Sequence, residues 1–250
     1  MTATNLISCE QAQGILTIGL NRPEKKNAIT HAMYRYMTEV LERAGQDTDV
    51  RVVLIRGHKE AFCAGNDLGD FNRRKSDEPS PGAVFLKALS IFEKPVVAAV
   101  SGLAIGVGAT ILLHCDIVYA AENSRFRMPF VNLGLCPEAG STLLLPARAG
   151  YLKAARALML GDFFDAETAV ALGLVTAILP DDALINHTMM EASRLAGKPS
   201  NALLEIKRLM KQGIGSRVST HMDIEFKVFA RLLASEESKI LRAKKYKEKK

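Results

Sequence analysis

The chain has no tryptophan and no apolar run long enough to cross a bilayer. Its longest runs, PVVAAV at 95–100 and ILL at 111–113, stop far short of the roughly 20 residues a spanning helix needs. The start, MTATNLISCE, lacks the basic and apolar stretches of a secretory leader. The final EKK is not an SKL-type peroxisomal address. A cytoplasmic location without a membrane partner is the default expectation. No CxxC pair joins the four cysteines (Cys9, Cys63, Cys115, Cys136), and no HxH or HxxxH joins the five histidines. Metal sites need such clustering, so none is expected, and the thiols read as reduced and buried. There is no GxxxxGK[ST] loop, and GVGATILL at 106–113 fits the dinucleotide GxGxxG spacing poorly.

What is present is an ordinary globular composition, 48% hydrophobic and 24% charged over 250 residues, enough for one large domain or one with a small appendage. The net charge of +6 is local: residues 239–250 carry seven basic side chains against one acid, so the rest is balanced. This argues against a nucleic-acid partner. The tail reads as a solvated, partly disordered end.

Apolar runs at 6–10 and 15–20 flank Gln13-Gly14 and predict a hairpin. Thr30 is placed to cap a helix reaching about Ala44. Buried strands are expected at 52–55, 95–100 and 117–120, with a short one ending at Cys63 and a further one at 174–179. Residues 69–81 read as a mobile loop, and 83–92 as a helix. Beyond Gly140 the pattern turns helical, over 143–160, 166–171, 182–195, 202–212 and 217–235. Alternating strands and helices with continuously apolar strands predict an α/β fold with parallel pairing. A composition shift near 197–199 divides a core at 1–197 from a C-terminal helical region at 198–250.

Three segments carry the chemistry. NLGLCPEAGST at 132–142 sets one carboxylate, Glu138, between Pro137 and small residues. AFCAGNDL at 61–68 and SGLAIGVGAT at 101–110 are tight, glycine-bearing loops whose backbone N–H groups suit an oxygen that becomes negative during reaction. Each residue also has a plainer reading. The glycines permit close helix packing, Glu138 is a carboxylate at a helix N-terminus, Asp67 caps its own loop, Asp116 anchors a strand start, and His114 is a core histidine. Met33, Met37, Met189 and Met190 read as helix-face packing.

Together NRPxxxNAI at 21–29, AFCAGNDL, SGLAIGVG followed by CDIVYA, and the segment around Glu138 resemble the enoyl-CoA hydratase/isomerase (crotonase) family, in order and spacing over roughly residues 6–233. The resemblance implies a spiral of ββα repeats with a C-terminal helical trimerisation region, a trimer or hexamer, and acyl-CoA substrates. It implies no separate cofactor, coenzyme A being part of the substrate. Carried over, the oxyanion donors are the backbone N–H groups of Asn66 and Val107, where family members often have glycine at the second position. Ala64, Gly65, Asp67, Leu68 and Gly106 line the CoA path, and Arg22 and Lys25 face the nucleotide phosphates. Hydratases of the family use two glutamates, where this sequence has Thr110 and Phe130. Glu138 instead matches the single base of Δ3,Δ2-enoyl-CoA isomerases. The expected activity is therefore transfer of a 3-enoyl double bond to the 2-position, in fatty acid metabolism. The alternatives are a hydratase, an isomerase of branched or aromatic acyl-CoA with preference set around 71–85, and a non-catalytic CoA- or RNA-binding relative.

Overall fold

The computed structural model describes residues 3–71, 80–213 and 215–247. Strands β1 (Ile7–Ala12) and β2 (Ile15–Leu20) form the expected hairpin, with Gln13 and Gly14 both at positive φ in its turn. The chain then winds in a spiral. Each winding lays one strand in a large sheet and the next in a small one. The large-sheet strands are β3 (Val52–Arg56), β5 (Val96–Val100), β7 (Ile117–Ala121) and β10 (Ala177–Leu179). The small-sheet strands are β4 (Ala61–Cys63), β6 (Leu103–Ile105), β8 (Arg125–Arg127) and β9 (Phe163–Phe164). The sheet orders are β1-β2-β3-β5-β7-β10 and β4-β6-β8-β9. Pairing along the spiral is parallel, as Val53 with Val96 and Val97 with Ile117 show, except that β9 joins β8 antiparallel.

The helices are α1 (Ala3–Leu6), α2 (His31–Gln46), α3 (Leu68–Phe71), α4 (Pro81–Ile91), α5 (Val107–Thr110), α6 (Ser141–Ala149), α7 (Tyr151–Leu160), α8 (Ala166–Ala171), α9 (Leu184–Ala196), α10 (Ser200–Gln212), α11 (Gly215–Leu233) and α12 (Glu236–Lys247). The central strands are apolar throughout because both faces are covered. Val53, Ile55, Val96 and Ala98 join the main core with α2 and α4, while Val52, Leu54, Val97 and Ala99 pack against Leu184, Ala192 and Ala196 of α9. Thr30 caps α2, its hydroxyl accepting from Met33 N at 3.2 Å.

Several expectations are corrected. The single helix over 143–160 is two, because Gly150 at φ +80° separates α6 from α7. The strand at 174–179 begins only at Ala177. The start of the loop at 69–81 is helical in α3, and Ser80 caps α4, while 72–79 lie outside the described residues. The basic tail is helical through Lys247, because Ser235 caps α12 with its hydroxyl on Ser238 N and the partly buried Arg242 guanidinium reaches back to the Leu233 carbonyl. Residues 248–250 lie outside the described residues. Met33 and Met37 are core residues, but Met189 and Met190 are exposed, on the face of α9 turned away from the sheet.

Candidate active site

Two loops meet at the edge of the small sheet. The first leaves β4 as Ala64-Gly65-Asn66. Its shape comes from the motif at 21–29. Asn27, buried at φ +56°, donates from Nδ2 to the Ala61 and Phe62 carbonyls at 2.9 and 3.2 Å, and its Oδ1 accepts from Arg22 N at 2.8 Å. Ala64 N donates to Lys26 O, and Ile29 brackets Asn66 by accepting from Asp67 N and donating to Gly65 O. The second loop is the entry to α5, with Gly106 at φ +58°.

The loops approach closely enough to require glycine. A Cβ on Gly65 would lie 3.1 Å from Ile105 O and one on Gly108 2.5 Å from Cys63 O, while Gly106 is favoured by its positive φ. The packing reading of Gly108 is thus correct, and it presses α5 onto the strand beside Asn66. Among the described residues, neither the Asn66 N–H nor the Val107 N–H has an acceptor. The Val107 group is the first of a helix and has no intrahelical partner available.

Glu138 sits in the turn before α6. Its residue is 7% exposed, and its Oε1 is a fully buried oxygen without a hydrogen-bond partner. Burial, with the charge of Glu225 added, raises its pKa from 4.5 to about 8. The reading of Glu138 as a carboxylate serving the helix N-terminus is overturned. The Gly140 and Thr142 donors go to Glu225 of α11, which accepts from Gly140 N at 2.6 Å, Thr142 N at 2.9 Å and Thr142 Oγ1 at 2.6 Å, while Ser141 N donates to the Glu138 backbone carbonyl.

Tyr34 connects Glu138 to the first loop. Its hydroxyl donates to Asn66 Oδ1 at 2.5 Å, and burial followed by the nearby Glu138 charge pushes its pKa well above the usual value. Cys63, at the end of β4, is raised to about 12, chiefly by burial, with Glu138 again contributing. Behind the turn, His114 is the expected core histidine, lowered to about 3 by burial and set 2.8 Å from Ala139 O.

The other expected site residues spread outward. Arg22 is committed to Asp67 at 2.7 Å and to Ala28 O at 2.9 Å. Asp67 also accepts from Gly69 N and Asp70 N, so it caps its own loop as its plainer reading held. Lys25 is exposed on a 3-10 turn, and Leu68 opens α3. Thr110 is buried with its hydroxyl on Val107 O, and Phe130 is buried in the main core. Asp116 does anchor a strand start, accepting from Val96 N at 2.7 Å. Sequence reasoning missed Asn27, Tyr34 and Glu225. The first lay in plain view inside the motif at 21–29, but the other two carry no local signal.

A parallel-sheet spiral that buries one unpartnered carboxylate beside two loops with free N–H groups has the build of an acid–base enzyme. The family model described as Enoyl-CoA hydratase/isomerase matches residues 10–250. The 1,2-epoxyphenylacetyl-CoA isomerase of Escherichia coli is 34% identical, over 85% of this chain and 84% of that protein. The 2,3-dehydroadipyl-CoA hydratase of the same organism is 32% identical, over 90% and 89%. The solved structure of Pseudomonas aeruginosa OdaA superposes with a TM-score of 0.92 at 45% identity, covering 95% of this chain and 97% of that one. The chain belongs to the enoyl-CoA hydratase/isomerase family, and the fold is the crotonase spiral. The relatives' names include both an isomerase and a hydratase, so the reaction must be argued from the site. No helix among the described residues is long and apolar enough to cross a membrane.

Proposed function

We propose that the protein is an enoyl-CoA isomerase that moves a 3-enoyl double bond to the 2-position with Glu138 as its single acid and base. The observation that carries this reading is the buried Glu138 Oε1 without a partner. An oxygen with no competing hydrogen bond is free to take a proton from carbon. Its pKa of about 8 suits a group that must both accept and return a proton near neutrality.

In the reaction, Glu138 removes a proton from C2 of the acyl chain. The electrons of the C–H bond pass through C2 to the thioester oxygen, forming a dienolate. The Asn66 and Val107 N–H groups hold that oxygen, at a typical value of about 3 kcal/mol per donor. The protonated Glu138 then gives the same proton to C4, the double bond settles between C2 and C3, and the carboxylate is regenerated. Ala64, Gly65, Asp67, Leu68 and Gly106 border the path of the thioester in this reading, with Arg22 and Lys25 toward the phosphates.

Hydration is disfavoured because it needs one group to activate water and another to handle the proton at C2. Thr110 and Phe130 supply no second carboxylate, and the nearby Glu225 has its oxygens taken by Gly140 and Thr142. Exposed apolar residues on α10, Leu209 and Met210 among them, support association into an oligomer. Sedimentation showing a monomer at micromolar concentration would remove that part.

The test is turnover of a trans-3-enoyl-CoA beside hydration of crotonyl-CoA, for wild type and Glu138→Gln. Isomerisation that collapses in the variant, with little hydration in either protein, supports the reading. Hydration that persists in the variant overturns it.

A further inference from the structure

Glu225 is a second buried carboxylate beside the first, contributed by α11, and the reaction just described does not use it. Its environment is built. Gly140 N, Thr142 N and Thr142 Oγ1 all donate to its side chain, and Cys136 Sγ lies 3.6 Å from its backbone carbonyl. Thr142 Oγ1 is also 2.7 Å from His221 Nε2, which stands 3.8 Å from Glu225 Oε1. A Cβ on Gly140 would come within 3.3 Å of Val218 and 3.5 Å of Met222, so α11 lies directly on the turn. The turn itself is unusual: Ala139 and Gly140 are both in the left-handed region, at φ 65° and 69°.

We propose that Glu225 is a positioning residue for Glu138: it takes the Gly140 and Thr142 donors at the start of α6 for itself, which holds the turn in its left-handed form and leaves the Glu138 carboxylate without a hydrogen bond. This inference rests on Glu138 being the base. A carboxylate at the start of a helix ordinarily accepts those N–H groups and is stabilised as the anion. Here a side chain 85 residues away accepts them, and the helix N-terminus is neutralised by a charge other than that of Glu138. Glu225 also adds its own negative charge next to Glu138. Its pKa is raised by burial, and its donors and His221 work against that rise.

The groups facing Glu138 are Glu225 from α11, Tyr34 from α2, Cys63 from β4 and Cys136 from its own loop. Tyr34, Cys63 and Cys136 are all raised and stay neutral at working pH. Glu225 is therefore the neighbouring charge that bears on the ionisation of Glu138. His221 faces Glu225, 3.8 Å from its Oε1, rather than Glu138.

The test is the pH profile of kcat/KM in Glu225→Gln and Glu225→Asp. Removing the charge in Glu225→Gln is expected to move the ascending limb down by about one pH unit or more. Glu225→Asp keeps the charge but shortens the reach, so its limb stays near that of wild type while kcat falls several-fold and KM changes little. An unmoved limb in a folded Glu225→Gln protein overturns the proposal, as does an unchanged kcat in Glu225→Asp. If Glu225→Gln does not fold, the aspartate variant alone decides. A direct titration of the Glu138 carboxyl by carbon NMR, assigned with Glu138→Gln, separates the two readings. If its midpoint shifts in Glu225→Gln while wild type fails to isomerise any 3-enoyl-CoA, the proposed reaction falls and the positioning role stands.

Discussion

The His114 Nε2 atom lies 2.8 Å from the carbonyl oxygen of Ala139, the residue that follows Glu138 and is itself held at φ 65°. Left-handed alanine costs about 1–3 kcal/mol and persists only where the surroundings impose it. The His114 bond on one side and the Glu225 bond to Gly140 on the other impose it here.

Burial of His114, against which the Ala139 bond works only in part, makes the fold acid-sensitive. His114 is neutral when folded, with its pKa lowered to about 3 by burial, against 6.5 when unfolded. The unfolded chain binds the extra proton between those values, so the contribution is fully present above pH 6.5 and is lost as pH falls toward 3. Urea denaturation at pH 7 and pH 4.5 is expected to show a marked drop for wild type. In His114→Gln, which keeps a donor for Ala139, the drop is smaller. Equal drops in the two proteins count against the assignment.

Glu138 has the opposite sign. Its folded pKa of about 8 lies above its ordinary 4.5, so its contribution is fully present below pH 4.5 and is lost as pH rises through 8. Glu138→Gln is therefore expected to melt higher than wild type at pH 8.5, by several degrees, and to match it at pH 5. Its isomerase activity should fall by about 10²–10⁴-fold. The kcat/KM of wild type should climb with a midpoint near 8. A variant that melts lower than wild type at pH 8.5 contradicts the buried-base geometry.

Gly108→Ala tests the close approach of α5 to Cys63. The new methyl would sit 2.5 Å from Cys63 O and 2.8 Å from Cys63 Cβ, so α5 must lift. The Val107 N–H moves with it. Loss of one aligned oxyanion donor corresponds to about a 10²–10³-fold fall in kcat. Kinetics on the folded variant, with little change in KM, are the expected readout, and an unaffected kcat would remove Val107 from the oxyanion role.

The pair of buried Lys207 with Asp116 is structural. Lys207 Nζ donates to Asp116 Oδ2 at 2.6 Å and to Lys94 O at 2.7 Å. Lys207→Met removes the cation from a partly exposed Asp116 carboxylate and is expected to cost about 1.5–3 kcal/mol in urea denaturation. Adding Asp116→Asn should recover part of that loss, because the amide oxygen still accepts from Val96 N. A double variant no better than the single one would mean that the charge pairing is not the cause.

The parts of this protein legible in its sequence were those with local signals. The apolar runs of β2, β3, β5 and β7 announce strands buried on two faces, Gln13-Gly14 announces a hairpin, and Thr30 announces a helix start. Ordered motifs resembling a known family then single out Glu138, Asn66 and Val107. The small sheet was mostly missed, since strands of two or three residues such as β6, β8 and β9 are too short to show a period and exist only because the spiral aligns them. The helical tail was missed because lysine-rich composition hides the capping contact of Ser235 and the fold-back of Arg242.

The sequence by itself determined that a carboxylate follows two glycine-bearing loops in a parallel α/β chain, because propensity, periodicity and turn chemistry act over a few residues. Which carboxylate serves the α6 N-terminus was decided only by tertiary structure. Glu138 stands next to those donors in the chain, but Glu225 takes them from 85 residues away. Tyr34 reaches Asn66 across 32 residues in the same way. Hydrogen bonds and desolvation depend on distance in space, so the ionisation of Glu138 was set when α11 came to rest on the turn.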